Sequence, residues 1–513
     1  CVGGGIFNQA AKLATVNISK LNPKIPEKDI RNPGSIASLL GRYVNHSIGL
    51  NTYVYEIYAV SIIVSMVIGA EIIAKQQLPM EEGMLIVVTP LMIAAIGLLG
   101  SLVGVLTVQK SKKTFTETHL KGIKAALITV TIISSFFFFL DLFSWDVLET
   151  IIVALLGSMV LGYISKRSGR CSTENAKAHP LLCAFIKGGE STIASFGVII
   201  VVVLIIFFCH GGGYQRGAYV ISLSAIALLM NLGYNLAYAS IVPVCGNAAT
   251  ISEILLLPKD NQKKSYLLFD WAKQFMTFIS SLLTASGFIV SVLLVLIFLI
   301  TLPELIMKHS NNTELLSKIE ALGKIGLRQE VNMIINYLKI EVISPLFWLG
   351  IFSGVIACVT FSTFLVKNVK TSAYAMLHEA QKQIDKNDLI IKGESLPDYA
   401  ACINCIMKTI QRKALFICFT CVAFPIVVGT CLGLAGLLGL FMGLLSTMTV
   451  LSLFANYFGH LSKKILPNEI LGGIFKDLLS SSLQVSTRLI ILSSFVFFRI
   501  IFIIKSCFEG VTL

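Results

Sequence analysis

The chain has 513 residues, of which 55% are hydrophobic and only 13% charged, and a net charge of +13. Soluble domains carry about a quarter charged residues, so this balance excludes a soluble globular enzyme and indicates an integral membrane protein. The basic residues are scattered between apolar runs rather than gathered into one patch, which argues against a nucleic-acid partner.

Apolar runs lie near 48–74, 83–108, 122–140, 147–164, 192–209, 217–242, 271–302, 341–366, 414–431, 432–458 and 483–506. Each can cross about 30 Å of hydrocarbon as a helix. They exceed the length of barrel strands, and helices satisfy their own backbone polar groups in lipid. The predicted fold is all-α: a polytopic transmembrane helical bundle of about 11–12 spans, forming one integral membrane domain over residues 1–513. The chain opens at Cys1 with a glycine run, Gly3–Gly5, that starts part-way along a helix. That opening reads as a fragment whose upstream helices are missing.

Counting faces alternately, one side receives Lys110, Lys112 and Lys113, then Lys166, Arg167 and Arg170. Lys263, Lys264, the 367–413 segment, Lys463 and Lys464 fall on that side too. The positive-inside rule makes it the cytoplasmic face and accounts for most of the net charge. A sequon, Asn311-Asn312-Thr313, falls on the opposite side. The membrane itself, endomembrane or plasma membrane, is not specified by these signals. Of the twelve cysteines, Cys402/Cys405 and Cys418/Cys421 form C-x-x-C pairs. The second pair sits in an apolar run, so buried free thiols are expected rather than a metal site. No disulfide framework is expected from the remaining cysteines.

The chemistry-bearing segments are GGGIFNQAAK (Gly3–Lys12), IPEKDIRNP (Ile25–Pro33), EIYAV (Glu56–Val60), VPVCGNAATISEI (Val242–Ile254) and NEILGGIFKDLL (Asn468–Leu479). In that order and spacing they resemble the signature segments of the membrane-integral inorganic pyrophosphatases. These are ion pumps that couple pyrophosphate hydrolysis to proton or sodium transport. LPDYAACI (Leu396–Ile403) and PLMIAAIGLLGSLVGV (Pro90–Val105) fit the same family frame. The resemblance covers essentially the whole chain and corresponds to roughly the last twelve of the family's sixteen helices.

The resemblance implies a cytoplasmic cage of aspartates that holds magnesium around pyrophosphate, because phosphoryl transfer needs its charge neutralised. Nearly all of those aspartates are replaced. Lys12 and Val16 stand at two on the first acidic helix, with Asn22 in place of a glutamate. Ser38, Arg42 and His46 stand on the aspartate ladder of the second. Ala239, Gly246, Tyr266, Phe269, His460 and Gly473 occupy further acidic positions, with Asp270 one residue from register.

The resemblance retains pyrophosphate-type lysines at Lys20, Lys463, Lys464 and Lys476, and residual polar or acidic positions at Asp29, Asn247, Glu253, Glu469 and Asp477. Asp477 is the one candidate metal ligand. Each lysine alone would read as a snorkelling anchor; together at family positions they read as a pyrophosphate or phosphate site. The ion-pathway positions are Cys1, Tyr53, Glu56 and Arg488, with a Glu56–Arg488 pair expected because intramembrane charges pair.

These features imply a cation pump by ancestry, poor Mg2+ binding, and diphosphatase activity that is weak or lost. The alternative is an inactive membrane scaffold or a partner subunit of an active paralogue. The expected partners are the lipid bilayer and, by resemblance, a second copy in a homodimer or a paralogue in a heterodimer.

Overall fold

The computed structural model describes residues 2–76, 79–109, 115–168, 179–209, 214–256, 258–309, 344–465 and 469–509. Among these residues there is no strand, and ten helices are long and apolar enough to cross a membrane. The protein is an integral, multi-pass, all-α membrane protein.

The chain runs through α1 (Val2–Leu21), α2 (Pro33–Tyr43), a π-helical turn (Val44–Gly49) and α3 (Leu50–Gln76). Next come α4 (Met80–Gln109), α5 (Phe115–Phe139), α6 (Trp145–Ser168) and α7 (Pro180–Cys209). Three shorter helices follow: α8 (Tyr214–Leu228), α9 (Leu232–Ala239) and α10 (Ile241–Ile254). The long α11 (Lys259–His309) and α12 (Pro345–Lys386) lead to the single turn α13 (Leu389–Lys392) and to α14 (Tyr399–Ile465). The chain ends with α15 (Glu469–Gly473), a second π-helical turn (Ile474–Leu479), α16 (Ser480–Val496) and α17 (Phe498–Glu509). One large apolar core joins most of these helices, while Ile390 of α13 packs with Ile25 and Ile384 in a small separate cluster.

Most predicted spans match helices, with instructive differences. The runs 414–431 and 432–458 are both in α14, whose backbone breaks at Gly433 (φ 70°, ψ −166°), a conformation that favours glycine. The run 217–242 is split over α8, α9 and α10. The break has a packing cause: a Cβ on Gly97 would lie 2.7 Å from the Met230 carbonyl oxygen, so α4 presses against the α8–α9 turn. Ser101 Oγ also donates to the Met230 oxygen at 3.4 Å. The basic 367–413 segment is mostly helical, because α12 continues to Lys386 and α14 begins at Tyr399. At 42 residues, α12 is about 63 Å long, twice the bilayer core.

Cys402 and Cys421 are buried, Cys405 is half-buried and Cys418 exposed, and all four are free thiols. Cys183, contrary to expectation, is disulfide-bonded. The sequon and Lys110, Lys112, Lys113 and Arg170 lie outside the described residues.

Candidate functional site

The site begins with the α1–α2 hairpin, which can close only because glycines face it. A Cβ on Gly34 would sit 2.7 Å from the Thr15 backbone, and one on Gly41 would sit 2.8 Å from Asn8 Cα. Asn32 caps α2 by accepting from Gly34 N at 3.0 Å and donates to Thr15 O at 3.1 Å. Pro33 then occupies the first helical turn, where its missing N–H costs nothing. Within the connecting loop, Arg31 forks onto Asp29, Nε donating to Oδ1 at 3.0 Å and the second nitrogen to Oδ2 at 2.7 Å. The same guanidinium donates to Ile391 O at 2.7 Å, tying the loop to α13. Its hydrogen bond holds the Asp29 carboxyl below the usual carboxylate range. Asp29 is thus a clamp for the loop.

Behind this loop, α1, α2 and α10 enclose a cleft of about 440 Å³. Lys12, Val16, Ser38 and Arg42, assigned by resemblance to four lost aspartates, all line it. Among the described residues of the lining, Glu27 is the one carboxylate and Lys12, Lys28 and Arg42 are the cations. Arg42 is 6% exposed. Its guanidinium donates to Asn247 Oδ1 at 3.2 Å and Thr250 Oγ1 at 3.1 Å, and stands 5.3 Å from the Phe269 ring centre. Asn247 in turn donates to Leu39 O at 3.1 Å.

Three positions that the resemblance assigns to acidic residues are therefore packed against one another. A Cβ on Gly246 would lie 2.7 Å from Phe269 Cε2 and 2.8 Å from Arg42 Cδ, so Arg42 and Phe269 fill the room that a side chain at 246 would need. On the rim, Glu253 pairs with Lys28 and accepts from the Tyr266 hydroxyl. Lys273 Nζ stands 4.1 Å from the Phe269 ring centre and 3.8 Å from Asp270.

Deeper in the membrane the two π-helical turns flank a small cavity of about 40 Å³, lined among others by His46, Tyr53, Lys476 and Asp477. Such a turn adds one residue to a helix and rotates every side chain beyond it. Lys476, inside the second of these turns, points inward: its ammonium donates to Lys273 O at 3.0 Å and to Thr277 Oγ1, and lies 3.5 Å from His460 Nδ1. Asp477 accepts from Gln9 Nε2 at 3.0 Å. Gln9 covers Gly473, since a Cβ there would lie 2.7 Å from the Gln9 amide carbon. Below this layer Arg488, fully buried, forks onto Glu56 with two contacts of 2.6 Å. It also faces Tyr53, 5.4 Å from its ring centre.

Of the expected anion-holding lysines, the two whose side chains are described, Lys20 and Lys476, do not line the cleft. Lys20 is exposed in the last turn of α1 and is not among the lining residues, and Lys476 belongs to the inner cavity. Lys463 and Lys464 lie in the last turn of α14 and Glu469 begins α15, but their side chains, like Cys1, lie outside the described residues. Sequence reading missed Lys28, Thr250 and Gln9. Gln9 had a visible signal, an amide within an apolar, glycine-rich helix.

A family model described as inorganic H+ pyrophosphatase matches residues 1–461. The chain belongs to this family of pyrophosphate-energised cation pumps. It is 26% identical over 485 residues to a putative K(+)-stimulated pyrophosphate-energized sodium pump of Bacteroides thetaiotaomicron, covering 88% of this chain and 64% of that protein. It is 24% identical over 497 residues to a K(+)-insensitive pyrophosphate-energized proton pump of Methanosarcina mazei, covering 92% of this chain and 67% of that one. A K(+)-stimulated pyrophosphate-energized sodium pump of Thermotoga maritima is 23% identical over 483 residues, 86% of this chain and 62% of its own. The chain thus spans about two thirds of the length of these relatives.

The family implies magnesium, and the donor set tests the fit. Magnesium requires oxygen ligands, chiefly carboxylates. Among the described residues the cleft lining offers one carboxylate beside three cations. Among the described residues no group of three or more His, Cys, Asp or Glu side chains stands close enough to hold a metal ion. These residues do not fit a magnesium cluster.

Proposed function

We propose that this chain is a pyrophosphatase-family membrane protein in which metal-dependent hydrolysis is lost and the cleft is an anion site. The observation that carries this reading is Arg42, seated among Asn247, Thr250 and Phe269 at a position where the family frame calls for a metal-ligating aspartate. Two like charges 4 Å apart repel by about 4 kcal/mol per charge pair at an effective dielectric near 20. A divalent ion beside Arg42 and Lys12 would meet more than that, and Glu27 is the one carboxylate among the described residues of the lining. Phosphoryl transfer depends on positioning and charge neutralisation by metal, so a cleft that repels the metal has no route to the reaction. Coupled transport by the family mechanism is lost with it, while the Glu56–Arg488 pair holds the helices of the former ion path together.

The test is hydrolysis of magnesium pyrophosphate by the purified chain in liposomes. Phosphate release should stay at the protein-free background. Turnover above background that Asp477→Asn abolishes would overturn the proposal, because Asp477 would then be serving as a ligand. The same assay on co-expressed chain and active paralogue separates the partner-subunit reading: stimulation of the paralogue's turnover supports it.

A further inference from the structure

A second, larger cleft lies apart from the family site. It has a volume of about 520 Å³ and is walled by α5, α6, the α8–α9 junction and α11. Its inner wall is aromatic, with His119 ring centres 5.2 Å from Trp271 and 4.5 Å from Phe275. On α11 the lining extends from Trp271 to Leu282, about 16 Å along a helix at 1.5 Å per residue. The cleft therefore runs along the helices rather than across them.

Its mouth is different. Lys124 and Lys166 line it and are exposed, and neither pairs with an acidic side chain among the described residues. Arg167 and Lys187 line the adjoining cavity, which shares Lys166 and Tyr163 with this one; Lys187 there pairs with Glu190 at 2.6 Å. Buried polar atoms in the lining also lack partners: Ser165 Oγ, Asn231 Oδ1 and Asn235 Oδ1. Ser165 and Asn235 are 1% and 3% exposed, so the cleft buries polar capacity that its own side chains leave unmet. The outward faces of the two flanking helices, with Ile128 and Ile132 on α5 and Leu156 and Met159 on α6, are exposed and apolar. In a bilayer those faces meet lipid, so the opening between them is lateral.

We propose that this cleft is a binding site for an acidic glycerophospholipid, its phosphate held at Lys124 and Lys166 and one acyl chain lying along α11. An apolar trough about 16 Å long, opening to lipid beneath two cations at the basic end of the helices, is complementary to that molecule. The carbonyl-ester region would sit beside Ser165, which can donate to it. A free anion uses the lysines but not the trough, and a zwitterionic lipid uses the trough with weaker attraction to the lysines.

The experiment uses the whole delipidated chain in a neutral detergent, with native mass spectrometry and thermal unfolding as readouts. The probes are phosphatidylglycerol, phosphatidylcholine of the same chains, glycerophosphoglycerol and inorganic phosphate. Phosphatidylglycerol should be retained preferentially and raise the unfolding temperature, while the two chainless probes should not. Lys124→Gln and Lys166→Gln should each weaken its retention roughly fivefold, the effect of one cation near an anionic lipid. Both side chains are exposed, so these variants should fold. Equal retention of phosphatidylcholine, equal stabilisation by inorganic phosphate, or unchanged retention in both lysine variants would each overturn the assignment.

Discussion

At the residue scale, Arg42, Gly246 and Phe269 form a coupled set in the cleft. Arg42 packs where Gly246 leaves room, and Phe269 covers its guanidinium. Restoring an acidic residue at position 246 should therefore damage this protein. Gly246→Asp forces a Cβ to within 2.7 Å of Phe269 and 2.8 Å of Arg42, and overpacking of this kind costs about 1–3 kcal/mol. In an Arg42→Ala background the part of that cost due to Arg42 should vanish while the Phe269 contact remains, giving a coupling energy that thermal unfolding of the four proteins in the cycle would measure. An equal cost with and without Arg42 would refute the contact. The Glu56–Arg488 fork has larger stakes, because Arg488 is fully buried and its other acceptor is Gly287 O at 3.5 Å. Removing one partner of a buried pair costs about 3–5 kcal/mol by leaving the other uncompensated. Glu56→Gln should accordingly lower the unfolding temperature sharply, read out by maleimide access to the buried thiols of Cys358 and Cys402.

At the element scale, membrane helix packing here rests on small residues that let backbones touch. A Cβ on Gly354 in α12 would lie 2.6 Å from Leu440 O and 2.8 Å from Leu444 N of α14, both rigid backbone atoms. Small residues at such crossings permit the van der Waals contact that drives association in lipid. Gly354→Val should disrupt folding, whereas Gly197→Ala, with nothing within 4 Å of its new Cβ, should leave unfolding unchanged. Apolar length and order of elements were legible in the sequence, since the bilayer imposes them directly. The facing of side chains was less so, and the π-helical turns show why. An uninterrupted four-residue ladder would carry Ser38, Arg42 and His46 into one site. Ser38 and Arg42 do line the cleft, but the turn over Val44–Gly49 sends His46 to the inner cavity. Lys476, inside the second such turn, also points inward. No composition signal marks a π-helical turn, because it depends on tertiary packing around one extra residue. Glu56 and Arg488 were legible as a pair, because isolated charges in lipid have few other options.

At the scale of the whole molecule, the excess of basic residues extends to the described lining of the family cleft, and the proposed function rests on that charge inverting the family's ligand preference. Among the described residues the lining carries Lys12, Lys28 and Arg42 beside Glu27, and Glu253 on the rim pairs with Lys28. Positive potential concentrated in a low-dielectric recess draws free polyanions and disfavours their metal complexes. Pyrophosphate binding should thus persist in a chelator, and excess magnesium should weaken it by competing for the anion. Raising ionic strength from about 0.01 M to about 0.15 M shortens the screening length from about 30 Å to about 8 Å and should weaken binding further. Lys12→Ala should reduce affinity, while Lys20→Ala, on an exposed residue away from the cleft lining, should not. Titration calorimetry with and without magnesium decides the matter. Stronger binding with magnesium would mean that enough acidic ligands reach the anion to assemble a metal site, and the anion-site reading would fail. Absence of any anion binding would reduce the cations to anchors of topology and leave the partner-subunit reading in its place.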